Sequence, residues 1–192
     1  SGRLAGVICI ADPLRPEAVD VIQGLKKAGI SKVVMMTGDS DRTARAVASK
    51  VGVDEYYSEV LPEDKASFVD KERSAGRKVI MIGDGINDSP ALSAADVGIA
   101  ISDGAAIARE IADVTISADN LHEIVTLKRL STALMKRIHN NYRTIIGING
   151  GLIALGVTGI IMPTTSALLH NMSTLTISLR SMRNLLPKEE EA

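Results

Sequence analysis

Three apolar runs in the first half of the chain, VICI (7–10), VVMM (33–36) and VIMI (79–82), each stop at an aspartate within two or three residues. Runs this short and apolar on both faces are what a strand covered from both sides requires. Helical stretches separate them. A helix is expected from about Pro16 to Ala28, a second over 41–51 and a third over 63–75, with a short strand at EYYSE between the last two. DVGIAI (96–101) and DVTIS (113–117) read as two more strands, with a helix around 104–111 between them. This repeated strand–helix order predicts an α/β domain, a parallel sheet with helices on both faces. Ligands of such sheets gather beyond the carboxyl ends of the strands. The acidic tips are therefore the candidate site.

The tips have distinct chemistry. Asp12 follows VICI, Thr37-Gly38-Asp39 follows VVMM, and GDGIND, with Asp84, Asn87 and Asp88, follows VIMI. Two carboxylates four residues apart repel unless a cation or a proton lies between them. A hard cation such as Mg2+ takes a few carboxylates plus water and phosphate oxygens. The same stretch also reads as a turn in which Asp88 N-caps the next helix. Thr37 and the backbone N–H groups beside it can hold phosphate oxygens or form an ordinary turn. Lys65 sits near the start of a helix, where a cation opposes the dipole. It can offset charge on a transferring phosphoryl group, or it is a solvated surface lysine.

After Asn120 the pattern changes. Ile124, Leu127, Leu130, Leu134 and Ile138 recur every three or four residues, with Lys128, Arg129, Lys136 and Arg137 elsewhere. That is an amphipathic helix, read here as a stalk over 120–142. From 144 to 179 no charged side chain occurs, a run of 36 residues. A spanning helix needs about 20 apolar residues, and Pro163 breaks the run near its middle. The expectation is a two-helix transmembrane hairpin over 143–186 and a disordered tail at 187–192. Basic residues on both flanks place residues 1–142 and the C-terminus on the cytoplasmic side of a multi-pass membrane protein, with lipid as a partner. Gly147 and Gly151 have the spacing for close helix packing. Polar side chains inside the run, Asn149, His170 and Asn171, are candidates for ligating a transported ion. Hydrogen bonding between the helices accounts for them equally well.

The net charge of −1 gives no broad basic face for nucleic acid. Cys9, the single cysteine, excludes an internal disulfide and a cysteine metal cage and reads as a buried strand thiol.

In order, the strings ADPLRPEAV, MMTGD, LPEDK and GDGINDSPAL resemble the haloacid-dehalogenase superfamily, and within it the phosphorylation domain of P-type cation-transporting ATPases of the heavy-metal branch. The resemblance covers essentially the whole chain. It implies a haloacid-dehalogenase-like (Rossmann-like) fold, with residues 1–119 as part of a phosphorylation domain, and Mg2+ and ATP as cofactors. Asp84 would ligate Mg2+ together with Asp88. Thr37 and Gly38 would hold the phosphoryl group, Lys65 would offset its charge, and Asn87 and Asp88 would hold the phosphate. Asp12, Arg15 and Asp39 would touch nucleotide or brace the strand tips. His170, Asn149 and Asn171 would face a transition-metal ion. A histidine among amide and hydroxyl oxygens suits a zinc-like divalent ion. The subclass patterns are not met, however. Zinc and cadmium pumps of the branch usually carry a lysine near position 149 and an aspartate near 171. Copper pumps usually carry Met-x-x-Ser-Ser where this chain has His170-Asn-Met-Ser-Thr.

One departure is larger. The family's nucleophilic aspartate lies in a DKTGT string, and none occurs here. The chain reads as the C-terminal part of a pump that is inactive alone, needs a partner segment carrying DKTGT, and lacks a strand from the middle of its sheet. Two alternatives stand beside this reading. One is a non-catalytic membrane-bound module that binds Mg2+ or nucleotide, or regulates a pump. The other is a membrane-tethered phosphatase of the same superfamily.

Overall fold

A computed structural model describes residues 13–84, 87–101, 110–117 and 120–185. The strand expected at 7–10, Asp12, all but the end of the helix at 104–111 and the tail at 187–192 lie outside the described residues. The chain forms two compact units, Ser1–Val125 and Thr126–Ala192.

The first unit follows the strand–helix alternation. Helix α1 (Ala18–Lys27) carries Asp20 in its first turn and Lys26 and Lys27 in its last. These charges complement its dipole. Strand β1 (Val34–Met36) leads to α2 (Asp41–Val51), which ends on Gly52 at φ 82, a left-handed conformation that suits glycine. After β2 (Glu55–Tyr57), Pro62 opens α3 (Pro62–Ser74), where a missing N–H costs no helical bond. The Asp64 carboxylate accepts from Leu61 N at 3.2 Å and closes that turn. Strand β3 (Ile80–Gly83), the short helix α4 (Ser89–Ala94), β4 (Val97–Ile101) and β5 (Val114–Ile116) complete the unit.

All the described strand pairs are parallel, as expected, and among the described residues they form two sheets, in keeping with a sheet that lacks a middle strand. β1 pairs with β2, and β3, β4 and β5 pair in that order. Among the described residues, β1 and β3 are therefore bonded on one side only. Burial follows from this. VVMM and VIMI were expected to be covered on both faces, yet β1 is only half-buried and Ile80 is 41% exposed. The central strand β4 buries Gly98, Ile99 and Ala100. A strand with one open edge lacks a neighbour's side chains to cover it.

The core is built from Val69, Leu92, Ile99, Ala100 and Ile116, with Val21, Leu25, Ala44 and Ala48 under the first sheet's helices. Gly98 is required here, because a Cβ would sit 2.7 Å from Leu92 O. Tyr57 packs against Phe68 with ring centroids 5.1 Å apart, seating β2 on α3. Lys26 joins three elements: its ammonium donates to Gly52 O at 3.0 Å and to Asp54 at 2.6 Å. The other Asp54 oxygen accepts from Val33 N at 2.7 Å.

Helix α5 (His122–Val157) begins in the first unit, where Ile124 and Val125 are buried, and continues as one unbroken helix of 36 residues. The expected stalk and the first half of the hairpin are therefore one element. Gly159 at φ 73 ends the turn after α5, and Pro163 opens α6 (Pro163–Ser181), as the chain break near Pro163 predicts. Bonds at three levels pair the two helices antiparallel. His170 Nδ1 and Asn149 Oδ1 lie 2.8 Å apart, Asn141 Nδ2 donates to Ser181 Oγ at 2.7 Å, and Arg137 donates to Ser181 O at 2.9 Å.

Two expectations for this hairpin find no support among the described residues. No helix among the described residues is long and apolar enough to cross a membrane. The turn divides the uncharged run. Positions 144–157 of α5 are the uncharged ones, about 21 Å of helix at the standard rise, against about 30 Å of hydrocarbon. In α6, 10 of the 19 residues are Ser, Thr, His or Asn. Among the described residues nothing packs closely at the Gly147 and Gly151 spacing either, since a Cβ added at either would meet nothing within 4 Å.

The Asp54 junction predicts a pH dependence. The Lys26 ammonium first, then the Val33 N–H, holds the Asp54 carboxyl below its usual range. Its folded pKa is thus below its unfolded one, so its contribution is present above about pH 4 and disappears as pH falls through the folded value. Asp54→Asn is expected to unfold at lower urea than the parent at neutral pH, with the gap between the two closing in acid. Urea midpoints measured across that range check this.

Candidate functional site

The site residues lie where the strands end. After β1, Thr37 Oγ1 donates to Asp39 Oδ2 at 2.9 Å and accepts from Asp39 N at 3.1 Å. The turn is thus closed on itself. The next loop secures it: Val60 N donates to Thr37 O at 3.0 Å and Glu59 N to Asp39 O at 2.9 Å. Glu59 makes its bond from φ 55, an uncommon conformation for a residue other than glycine. That loop opens α3, which carries Lys65. The TGD turn and Lys65 are therefore joined through two backbone bonds and one helical turn.

Lys65 reaches the third tip. Its ammonium donates to Asp88 Oδ1 at 2.6 Å across 23 residues of sequence. The side chains are 15% and 12% exposed. Asp88 is the one buried charged residue among those described. This separates the two sequence readings of Asp88. It stands at the N-cap position of α4, but its side chain makes no capping bond; it turns to Lys65 instead. Lys65 is correspondingly not a solvated surface lysine.

Gly83 makes the arrangement possible. A Cβ there would collide with Asp88 Oδ2 and lie 2.7 Å from Asp88 Cβ, inside any allowed contact. The glycine that ends β3 is thus needed for close approach of a carboxylate. Gly83 was marked in the sequence as the first residue of GDGIND, where a glycine allows a tight turn, and nothing marked Glu59.

Asp84 and Asn87 are exposed, and Asp84 Oδ1 accepts from Asn87 N at 3.3 Å. Arg15 is exposed, with its guanidinium 3.9 Å from Glu17. Asp12 lies outside the described residues. The structure brings together Lys65 with Asp88, Asp84 with Asn87, and Thr37 with Asp39. His170 and Asn149 meet in the second unit, beside a cleft of about 640 Å³ walled by Leu152, Ile153, Val157 and Ile161. Asn171 is exposed on the same helix.

The donor set can be tested against Mg2+. Asp88 Oδ1 is already paired with Lys65, while Asp84 is an exposed residue. No group of three or more His, Cys, Asp or Glu is placed to hold a metal among the described residues. Mg2+ characteristically binds one or two carboxylates and completes its shell with water and phosphate oxygens. The exposed Asp84 carboxylate fits such an ion, completed by water and phosphate oxygens, and the described residues form no dedicated protein cage. When bound, the ion would supply positive charge against phosphate oxygens.

Similarity to known proteins points the same way as this geometry. Residues 1–96 match a protein family described as haloacid dehalogenase-like hydrolase, and residues 69–126 match a second family of the same description. A manganese-exporting P-type ATPase of Mycobacterium leprae is 39% identical over 183 residues, covering 95% of this chain and 25% of that protein. A copper-transporting P-type ATPase of Rhizobium leguminosarum is 44% identical over 174 residues, covering 89% and 20%. The crystal structure of a zinc-transporting PIB-type ATPase superposes with a TM-score of 0.82 at 33% identity, covering 92% of this chain and 28% of that one. The chain thus spans about a quarter of the length of the relatives it matches.

The buried pair generates a stability prediction. Lys65→Met leaves the Asp88 carboxylate uncompensated and is expected to cost about 3 kcal/mol. Asp88→Asn in the same background should recover part of that loss. Chemical denaturation of the two single variants and the double variant measures the coupling.

Proposed function

The chain belongs to the haloacid dehalogenase-like hydrolase family, and from that premise we propose that it supplies the phosphate-handling part of an ATP-driven pump for transition-metal ions. The observation that carries this reading is the buried Lys65–Asp88 pair at 2.6 Å. It holds a cation and a carboxylate from separate segments at one strand tip, beside an exposed Asp84. The similarity to manganese-exporting and copper-transporting P-type ATPases supports the same reading.

In this proposal, Asp84 holds Mg2+ and Asp88 stands behind it. Lys65 offsets charge on the phosphoryl group, which Thr37, Gly38 and Asn87 hold by hydrogen bonds. Because the Thr37 hydroxyl donates to Asp39, the Gly38 N–H is the more available donor and the hydroxyl must rotate to take part. Asp39, Arg15 and Asp12 face the nucleotide. The nucleophilic carboxylate comes from a DKTGT segment outside this sequence, so the chain alone does not turn over. The open sides of β1 and β3 leave room for the strand such a segment would bring.

The helices α5 and α6 expose Ile146, Ile153, Leu168, Met172 and Leu175, each by more than half. Apolar surface on this scale marks a contact surface, and it would pack against the remainder of the pump. His170, Asn149 and Asn171 face the transported ion, for which a zinc-like divalent ion is preferred on ligand chemistry. The hydrogen bond between His170 and Asn149 would have to open for the imidazole Nδ1 to ligate.

Two experiments test this. Mixed with this chain, ATP and Mg2+, a separately made segment carrying DKTGT should take up acid-stable phosphate on its own aspartate, which neither piece achieves alone. Asp84→Asn should lower that uptake by roughly a hundredfold or more; equal labelling in the variant removes Asp84 from the metal role. In a pump containing this chain, His170→Ala should reduce metal-stimulated ATP hydrolysis and spare phosphorylation by inorganic phosphate. Unchanged metal stimulation reduces His170 to a helix contact.

A further inference from the structure

A second cleft, polar rather than apolar, lies between the middle of α5 and the end of α6. It has a volume of about 330 Å³ and is lined by Lys136, Arg137 and Asn141 of α5 and by Arg180, Arg183 and Asn184 at the end of α6. Four of these residues are cations and none is an acid. No Asp or Glu occurs anywhere between positions 126 and 185. The second unit therefore has no described carboxylate to balance them.

The four cations are not equivalent. Arg137 is structural: its guanidinium donates to the carbonyls of Ser181, Arg183 and Asn184 and ties the end of α6 to α5. Asn141, one turn further along, bonds Ser181 Oγ at 2.7 Å. These bonds hold the wall of the cleft in place before any ligand arrives. Lys136, Arg180 and Arg183 have no side-chain hydrogen bond or ion pair among the described residues. Arg180 and Arg183 are favourably placed near a helix C-terminus, which attracts cations. That does not account for Lys136 or Arg137, which sit in the middle of α5. Like charges gathered on fixed walls raise the local potential and favour an anion between them.

The surroundings select the kind of anion. Tyr142 is 64% exposed, Leu179 60% and Met182 80%, all from the same turns as the cleft residues. A free phosphate would leave this apolar rim in water, whereas the acyl chains of a lipid would cover it. We propose that this cleft binds the phosphate headgroup of an anionic lipid through Lys136, Arg180 and Arg183, with Arg137 and Asn141 positioning the walls.

The inference does not depend on phosphoryl transfer at the strand tips, and its test reads binding alone. The 192-residue chain in detergent micelles is titrated with fluorescent phosphatidic acid, with phosphatidylcholine and with inorganic phosphate. Phosphatidic acid is expected to bind and phosphatidylcholine is not. The double change Lys136→Gln and Arg180→Gln should weaken phosphatidic acid by roughly tenfold or more, from about one charge's worth of attraction at each position. A matched change of charge outside the cleft, Lys128→Gln with Arg143→Gln, should leave affinity within about twofold. Equal losses in the two double variants would mean diffuse charge attraction and overturn the site. Inorganic phosphate that competes fully, with no preference for the lipid, would keep the anion site but overturn its assignment to a membrane lipid. Circular dichroism of each variant confirms that the helix pair is intact.

Discussion

The ion pair between Lys65 and Asp88 decides what the strand tips can do. Removing two charges from water is costly, and the attraction between them offsets this only in good geometry. The 2.6 Å contact supplies that geometry, and several features follow from it. Asp88 cannot also cap α4, so that helix starts without a side-chain cap. Position 83 must be glycine. α3 is drawn onto α4, where Val69 and Leu92 are fully buried and Arg73 donates to Ala94 O. Asp84 and Asn87 are left facing solvent, free of the burial cost that Asp88 bears.

The division into two sheets connects fold to function. A parallel strand depends on neighbours on both sides for hydrogen bonds and for cover. Among the described residues β4 has both and is buried, whereas β1 and β3 each have one partner and remain half-covered. The candidate chemistry sits at the tips of those two strands. The helix pair presents a similar situation with different chemistry. Its polar bonds lie between α5 and α6, and its apolar side chains face outward. Both units expose surface that favours association.

Much of this was legible in the residues. The helix over 41–51 ends where Gly52 follows it, and Pro62 and Pro163 open the helices they precede. The strands centred on VVMM, VIMI, VGIA and VTI form at those positions. Candidate site residues at the strand ends were visible because short apolar runs terminated in Gly and Asp. Other features were not legible. The 36-residue uncharged run gave no sign of how the helices would share it, and no helix among the described residues is long and apolar enough to cross a membrane. Gly147 and Gly151 had the spacing for a close contact that the helix orientation does not make. Glu59 has no residue-type signature for its left-handed backbone.

Sequence alone determined the local features: where helices start and stop, which runs extend, and which tips are acidic. These depend on φ preferences, missing N–H groups and side-chain periodicity, and all of them act within a few residues. The tertiary structure decided the partners. It turned Asp88 to Lys65 rather than to its own helix, left β1 and β3 with open edges, and gathered Lys136 and Arg180 from 44 residues apart into one cleft. Such pairings depend on which surfaces the whole chain can bury together, and neither partner's local sequence carries that information.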